Sequence, residues 1–123
     1  MNVWLLVGAV NGFLAVAVGA FGAHGLEGRV DARAIEIFNT GAHYHLIHAL
    51  ATVAAALAAR GAAAGRANIA ALLFTVGAVL FSGSLYFMVL AGSKALVLAT
   101  PLGGVCFLAG WSMLALAALK VQG

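Results

Sequence analysis

The chain has 123 residues, 65% of them hydrophobic and 7% charged, with six Lys and Arg against three Asp and Glu. Soluble domains carry about 25% charged residues, so this composition excludes an ordinary water-soluble fold. The net charge of +3 is scattered over Arg29, Arg33, Arg60, Arg66, Lys94 and Lys120 instead of forming one stripe, which excludes a nucleic-acid-binding face.

Four apolar blocks follow one another: Val3–Phe21, Tyr44–Ala59, Ala67–Ala91 and Ala95–Leu119. Crossing the hydrocarbon core takes about 20 helical residues, and a backbone in lipid must satisfy its own polar groups, so each block reads as a helix. The expected spans are residues 3–23, 42–59, 67–91 and 98–119, within a single integral membrane domain, 1–123. The first block has no basic segment ahead of it and exceeds a signal-peptide core, so it reads as a retained helix. Between the first two blocks Asp31 is a good N-cap. From Ala32 to Asn39, Ile35 and Phe38 fall on one side and Arg33 and Glu36 on another, which predicts a short amphipathic interfacial helix over 31–40. In the fourth block Pro101 cannot occupy a helix interior, so the helix proper starts near it. The expected fold is all-α: an antiparallel four-transmembrane-helix bundle with that interfacial helix between the first two spans.

Chain order then gathers the unusual polar residues at one end. His24 closes the first helix, Tyr44, His45 and His48 open the second, Ser82, Ser84 and Tyr86 lie late in the third, and Thr100 opens the fourth. Polar groups inside a membrane are costly and point into the bundle or a cavity, so His24, Tyr44, His45, His48, Ser82, Ser84, Tyr86 and Thr100 form a candidate ligand or proton pocket. His24, His48, Tyr86 and the Thr100-Pro101 break are expected to converge. Three imidazoles, His24, His45 and His48, also have the donor chemistry for zinc or copper, but no carboxylate stands at a metal-site spacing. Satisfied interhelical hydrogen bonding is the third reading of the same residues. The sequence requires no cofactor. Asn11 is the main polar residue toward the other end, and Trp4 and Trp111 read as apolar or interfacial anchors. Cys106, the single cysteine, reads as a small apolar residue.

Small residues recur where helices can approach closely: Gly8, Gly12 and Gly19 in the first span, and Gly103, Gly104 and Gly110 in the fourth. They predict tight packing within the bundle, or a face for a second copy or a larger membrane complex.

Four ordered motifs carry a resemblance over nearly the whole chain. They are Gly19-Ala20-Phe21-Gly22-Ala23-His24-Gly25-Leu26, Tyr44-His45-Leu46-Ile47-His48-Ala49-Leu50-Ala51, Leu80-Phe81-Ser82-Gly83-Ser84-Leu85-Tyr86, and Thr100-Pro101-Leu102-Gly103-Gly104 followed by Leu108-Ala109-Gly110-Trp111. Together they resemble the small bacterial inner-membrane proteins grouped as domain of unknown function 423, related to eukaryotic transmembrane protein 256. The resemblance implies a four-helix fold in the inner (plasma) membrane and brings no activity, cofactor or substrate.

Two functional classes stand ahead of catalysis. One is binding or transport of a small ligand, ion or proton at the polar end. The alternative is a non-catalytic accessory or structural subunit of a larger membrane complex. An enzyme is not expected, because no acidic residue inside the spans could orient a histidine for Ser82 or Ser84.

Orientation rests on charge. Arg60, Arg66 and Lys120 share one end with both termini, and Arg29, Arg33 and Lys94 the other, a tie under the positive-inside rule. The α-amino group adds to the first end, while Glu27, Asp31 and Glu36 offset the second, so both termini are expected in the cytoplasm. A cysteine introduced near Arg66 should then resist a membrane-impermeant thiol reagent in intact cells, and one near Glu27 should react. The reverse labelling pattern would place the termini outside.

Overall fold

A computed structural model describes residues 1–121, with the side chain of Ala23 excepted. Four helices follow in order: α1 (Val3–Gly25), α2 (Ala32–Ala58), α3 (Ala64–Ala91) and α4 (Ala99–Ala118), with a 3-10 turn at Gly61–Ala63 ahead of α3. There is no strand among the described residues. By length and composition, the segments Val3–Gly22, Gly61–Ala91 and Ala99–Ala118 can each cross a membrane. Their outward side chains are apolar, with Phe13, Val105 and Leu108 between 62% and 76% exposed, the surface expected of a protein solvated by lipid.

Consecutive helices carry nearly all of the packing and run in opposite directions. Asn2 caps α1 by accepting from the Leu5 N–H at 3.1 Å, and its Nδ2 donates to the Ala56 carbonyl at 3.3 Å, tying the start of α1 to the end of α2. Arg66 does the same for the other pair, its Nη1 donating to the Leu116 carbonyl at 2.8 Å across the α3–α4 seam. Carbonyls in a last helical turn lack the usual N–H four residues on, so the bond to Ala56 supplies a partner that lipid could not, while Leu116, which also accepts from the Leu119 N–H at 3.3 Å, gains a second. The central core is alanine-rich. Ala51 and Ala55 of α2 meet Ala70, Ala71 and Phe74 of α3, with Trp4, Met113 and Leu114 closing over them.

The helix expected over 31–40 does not form a separate interfacial element. Asp31 caps as its position suggests, accepting from the Ala34 N–H at 2.8 Å, but the helix it starts runs unbroken to Ala58. Two features carry it through. Phe38 is fully buried, with its ring 5.0 Å from Tyr86 and 6.3 Å from Phe21, so the first turns are anchored to α1 and α3 and cannot peel away to lie on the surface. No proline interrupts the residues that follow, and the Thr40 hydroxyl is satisfied within the helix by the Glu36 carbonyl at 2.9 Å. α4 begins at Ala99 with Pro101 in its first turn, where a missing N–H costs nothing. α3 ends on Gly92, whose φ of 62° lies in the left-handed region that glycine adopts without strain.

The glycines of the expected packing set separate into two kinds. Gly8, Gly12 and Gly19 face α2, meeting Val53, Ala49 and Ala42, and Gly103 and Gly110 face Phe81 and Phe74 of α3. Gly104 does not belong with them. One residue on from Gly103 it is turned by about 100° away from the seam, and its missing side chain leaves open space. A methyl group on Gly103 would strike the Phe81 backbone, so Gly103→Ala should destabilise the protein by about 1–3 kcal/mol in detergent unfolding. Gly104→Ala should unfold at or slightly above the wild-type midpoint, because only helix propensity changes there. Equal effects from the two substitutions would contradict the seam described here.

Candidate functional site

Two histidines three residues apart on α2 point to neighbouring but different sides, since three residues leave them about 60° apart around the helix. His45 looks toward α1 and α3. Its Nδ1 lies 3.0 Å from the Tyr86 hydroxyl and its Nε2 lies 3.2 Å from Asn11 Oδ1. With the Asn11 oxygen facing the ring, Nε2–H donates to it and Nδ1 accepts the Tyr86 O–H, so one imidazole links three helices.

His48 looks toward α4. Its Nδ1 lies 2.8 Å from the Tyr44 carbonyl, and its Nε2 lies 3.1 Å from the Trp111 indole nitrogen. A carbonyl only accepts and an indole N–H only donates, so both bonds together define a neutral imidazole with its proton on Nδ1. The ring also lies flat on Phe107, centroid to centroid 3.5 Å with the planes 7° apart, and Thr52 donates to the His48 carbonyl at 2.7 Å. Both nitrogens of both histidines are therefore occupied from within the protein.

The other expected site residues do not join them. His24 lies exposed in the last turn of α1. The packing of Gly22 on Phe38 puts it at the outer end of α2, about 15 Å along the axis from His48. The expected convergence of His24, His48, Tyr86 and Thr100 is thus replaced by separate pairings. Tyr86 bonds His45, and Ser84 bonds both the Phe81 carbonyl at 2.8 Å and the Thr100 hydroxyl, joining α3 to the start of α4. Ser82 is buried, and its hydroxyl has no partner among the described residues. Among those residues no three of His, Cys, Asp and Glu come together to hold a metal ion, so His24, His45 and His48 do not make one metal site. Asn11 and Trp111 were not in the expected set. Each is an N–H-bearing group well inside an apolar block, and such a group needs a partner, which is the signal that points to them.

Beside His48 a groove of about 630 Å³ lies open between α2 and α4, walled by Tyr44, His48, Phe81, Phe107, Leu108 and Trp111. Gly104 borders it, and the space left by its missing side chain is part of the hollow. The wall is aromatic and apolar, with the polar edge of Tyr44 and neighbouring His43 at its outer end.

A family model described as "Protein of unknown function (DUF423)" matches residues 18–104. The UPF0382 membrane protein YwdK of Bacillus subtilis is 45% identical over 121 residues, covering 98% of each chain. The chain belongs to the DUF423 family. Other relatives of this DUF423 chain include a UPF0382 membrane protein of Haemophilus influenzae, 41% identical over 97% of this chain and 95% of its own. Another is the UPF0382 inner membrane protein YgdD of Escherichia coli, 36% identical over 96% of this chain and 90% of its own. No solved structure matches the chain. Like the DUF423 relatives so named, it is a membrane protein.

The two bonds of His48 yield a stability test. His48→Leu strands the Trp111 N–H and should cost on the order of 1 kcal/mol in detergent unfolding, the scale of interhelical hydrogen bonds in membranes. His48→Gln keeps a donor and an acceptor and should lose less. In a double-mutant cycle with Trp111→Phe, the paired substitution should cost less than the sum of the singles. Strict additivity would mean that the two rings are not bonded.

Proposed function

We propose that this protein is a non-catalytic, four-span bundle of the inner membrane, with both termini cytoplasmic, that binds a lipid-soluble amphiphile in the groove between α2 and α4. At 27 residues α2 is about 40 Å long, against a hydrocarbon core of about 30 Å. Its charged first turns then stand among headgroups while the stretch from Asn39 to Ala58, about 30 Å long, crosses, which supplies the fourth span. The reading rests on one observation above the others: the ring nitrogens of His45 and His48 are all engaged, while an open aromatic groove lies beside His48.

A proton or ion path needs groups that are free to bind and release, and the engaged imidazoles do not favour one. Hydrolytic chemistry is disfavoured in the same way. Ser84 is bonded to Thr100 and to its own helix, and Glu27, Asp31 and Glu36, the only acidic residues of the chain, all lie in or near the connection between α1 and the membrane-crossing part of α2. Ligand pockets of several hundred cubic ångströms with mostly aromatic walls and a few polar groups at one end are the usual form of a small-molecule site.

Trp111 reports on the groove directly. In a Trp4→Phe background it is the single tryptophan, and a phospholipid with a brominated chain should quench it saturably at stoichiometric lipid. Gly104→Leu, which fills the hollow, should abolish the saturable phase, whereas Gly83→Leu, equally open but outside the groove, should leave it intact. Quenching that rises linearly with lipid in all three proteins would overturn the reading.

A further inference from the structure

The groove has a polar continuation. It shares His43 and Tyr44 with a trough of about 570 Å³ along the first turns of α2, where Arg33, Glu36 and Asn39 line the wall. Residues 33, 36, 40, 43 and 47 fall at spacings of three and four, so a single face of α2 changes from charged at Arg33 and Glu36 to polar at Thr40 and His43 to apolar at Ile47, with the rings of Tyr44 and His48 beside it. From Arg33 to His48 that face extends for about 22 Å. With α2 crossing as proposed above, its charged end stands at headgroup depth and its apolar end inside the hydrocarbon, in the polarity order of a membrane lipid.

The charges at the outer end are of both signs. Arg33 Nη1 lies 3.1 Å from Glu36 Oε2, with the two side chains 76% and 70% exposed, and this is the only ion pair among the described residues. An exposed pair at this spacing is weakly held, so each partner can exchange the other for a ligand charge. The adjoining hollow that Arg33 also borders carries both signs as well, with Asp31 and Lys94 on its wall. A purely anionic headgroup would set its charge against Glu36. A headgroup with both phosphate and ammonium satisfies both side chains, and a primary ammonium can donate hydrogen bonds to the carboxylate where a quaternary one cannot.

We propose that trough and groove together form one site for a zwitterionic phospholipid bearing a primary ammonium, with Arg33 on its phosphate, Glu36 on its ammonium, and one acyl chain lying along Tyr44, Phe107 and Leu108. This rests on the groove being a ligand site, as set out above.

The test offers the full-length protein in detergent an equimolar mixture of phosphatidylethanolamine, phosphatidylcholine and phosphatidylglycerol with chains of distinct mass, and reads retained lipid by native mass spectrometry. The wild type should retain phosphatidylethanolamine several-fold over the other two. Glu36→Gln should bring the three close to parity while total retention holds, and Gly104→Leu should empty the site. Parity in the wild type, or a preference that survives Glu36→Gln, would overturn the headgroup assignment and leave the groove standing. Wild-type retention in Gly104→Leu would overturn both.

Discussion

Inside hydrocarbon a polar group without a protein partner has no water to fall back on, and the whole arrangement depends on how α2 meets that demand. His45 reaches Asn11 on one side and Tyr86 on the other, and His48 reaches Trp111 while holding its own helix through the Tyr44 carbonyl. The interfaces of α2 with all three other helices are each crossed by one of these bonds. Each bond is modest, but moving a helix out of place would expose a buried donor or acceptor to lipid, and that penalty makes the register specific. The hydroxyls obey the same constraint in a simpler way. Thr40, Thr52, Thr75 and Ser112 each donate to the carbonyl four residues earlier and so need nothing from a neighbour.

Shape does the rest. Along the α3–α4 seam aromatic rings enter positions without a side chain: Phe107 over Gly77, Phe74 over Gly110, and the backbone at Phe81 against Gly103. Between lipid-solvated helices there is no hydrophobic gain from burying apolar surface, so close contact of this kind is what holds them together. Because α4 is seated so closely on α3, it stands away from α2 over the outer part of the bundle. The space between α2 and α4 is the groove, and the stacked pair His48 and Phe107 forms its inner wall.

The consequence for function is a reversal of where chemistry is to be sought. The interior polar groups of His45, His48, Asn11, Tyr86 and Trp111 satisfy one another and act as fasteners, Ser82 being the buried hydroxyl left without a partner among the described residues. The surfaces left with unused recognition capacity lie on the outside of the bundle: an aromatic wall around Tyr44 and Trp111, and an exposed ion pair at Arg33 and Glu36. Both lie on the same side of α2, the helix whose position the histidines secure.

Composition and block length alone decided that the chain is helical and membrane-embedded, because these depend only on whether a stretch of residues can satisfy its backbone and match a bilayer. The four blocks, the Asp31 cap, the place of Pro101 and the family motifs were all legible in this way. Local pattern also singled out His45, His48, Tyr86, Ser84 and Thr100 as residues in need of partners. Which partner each would take was not legible, since rotation of a helix about its axis by one residue changes it by about 100°, and that angle is set by side chains far away in sequence. Tertiary packing therefore decided that His45 meets Asn11 and Tyr86, that Trp111 is the partner of His48, and that His24 stays outside. It also decided that Gly104 opens a groove where Gly103 closes a seam. The unbroken run of α2 from Ala32 to Ala58 belongs with these. The amphipathic pattern over 31–40 is real, but Phe38, buried between α1 and α3, holds those turns in line with the rest of the helix.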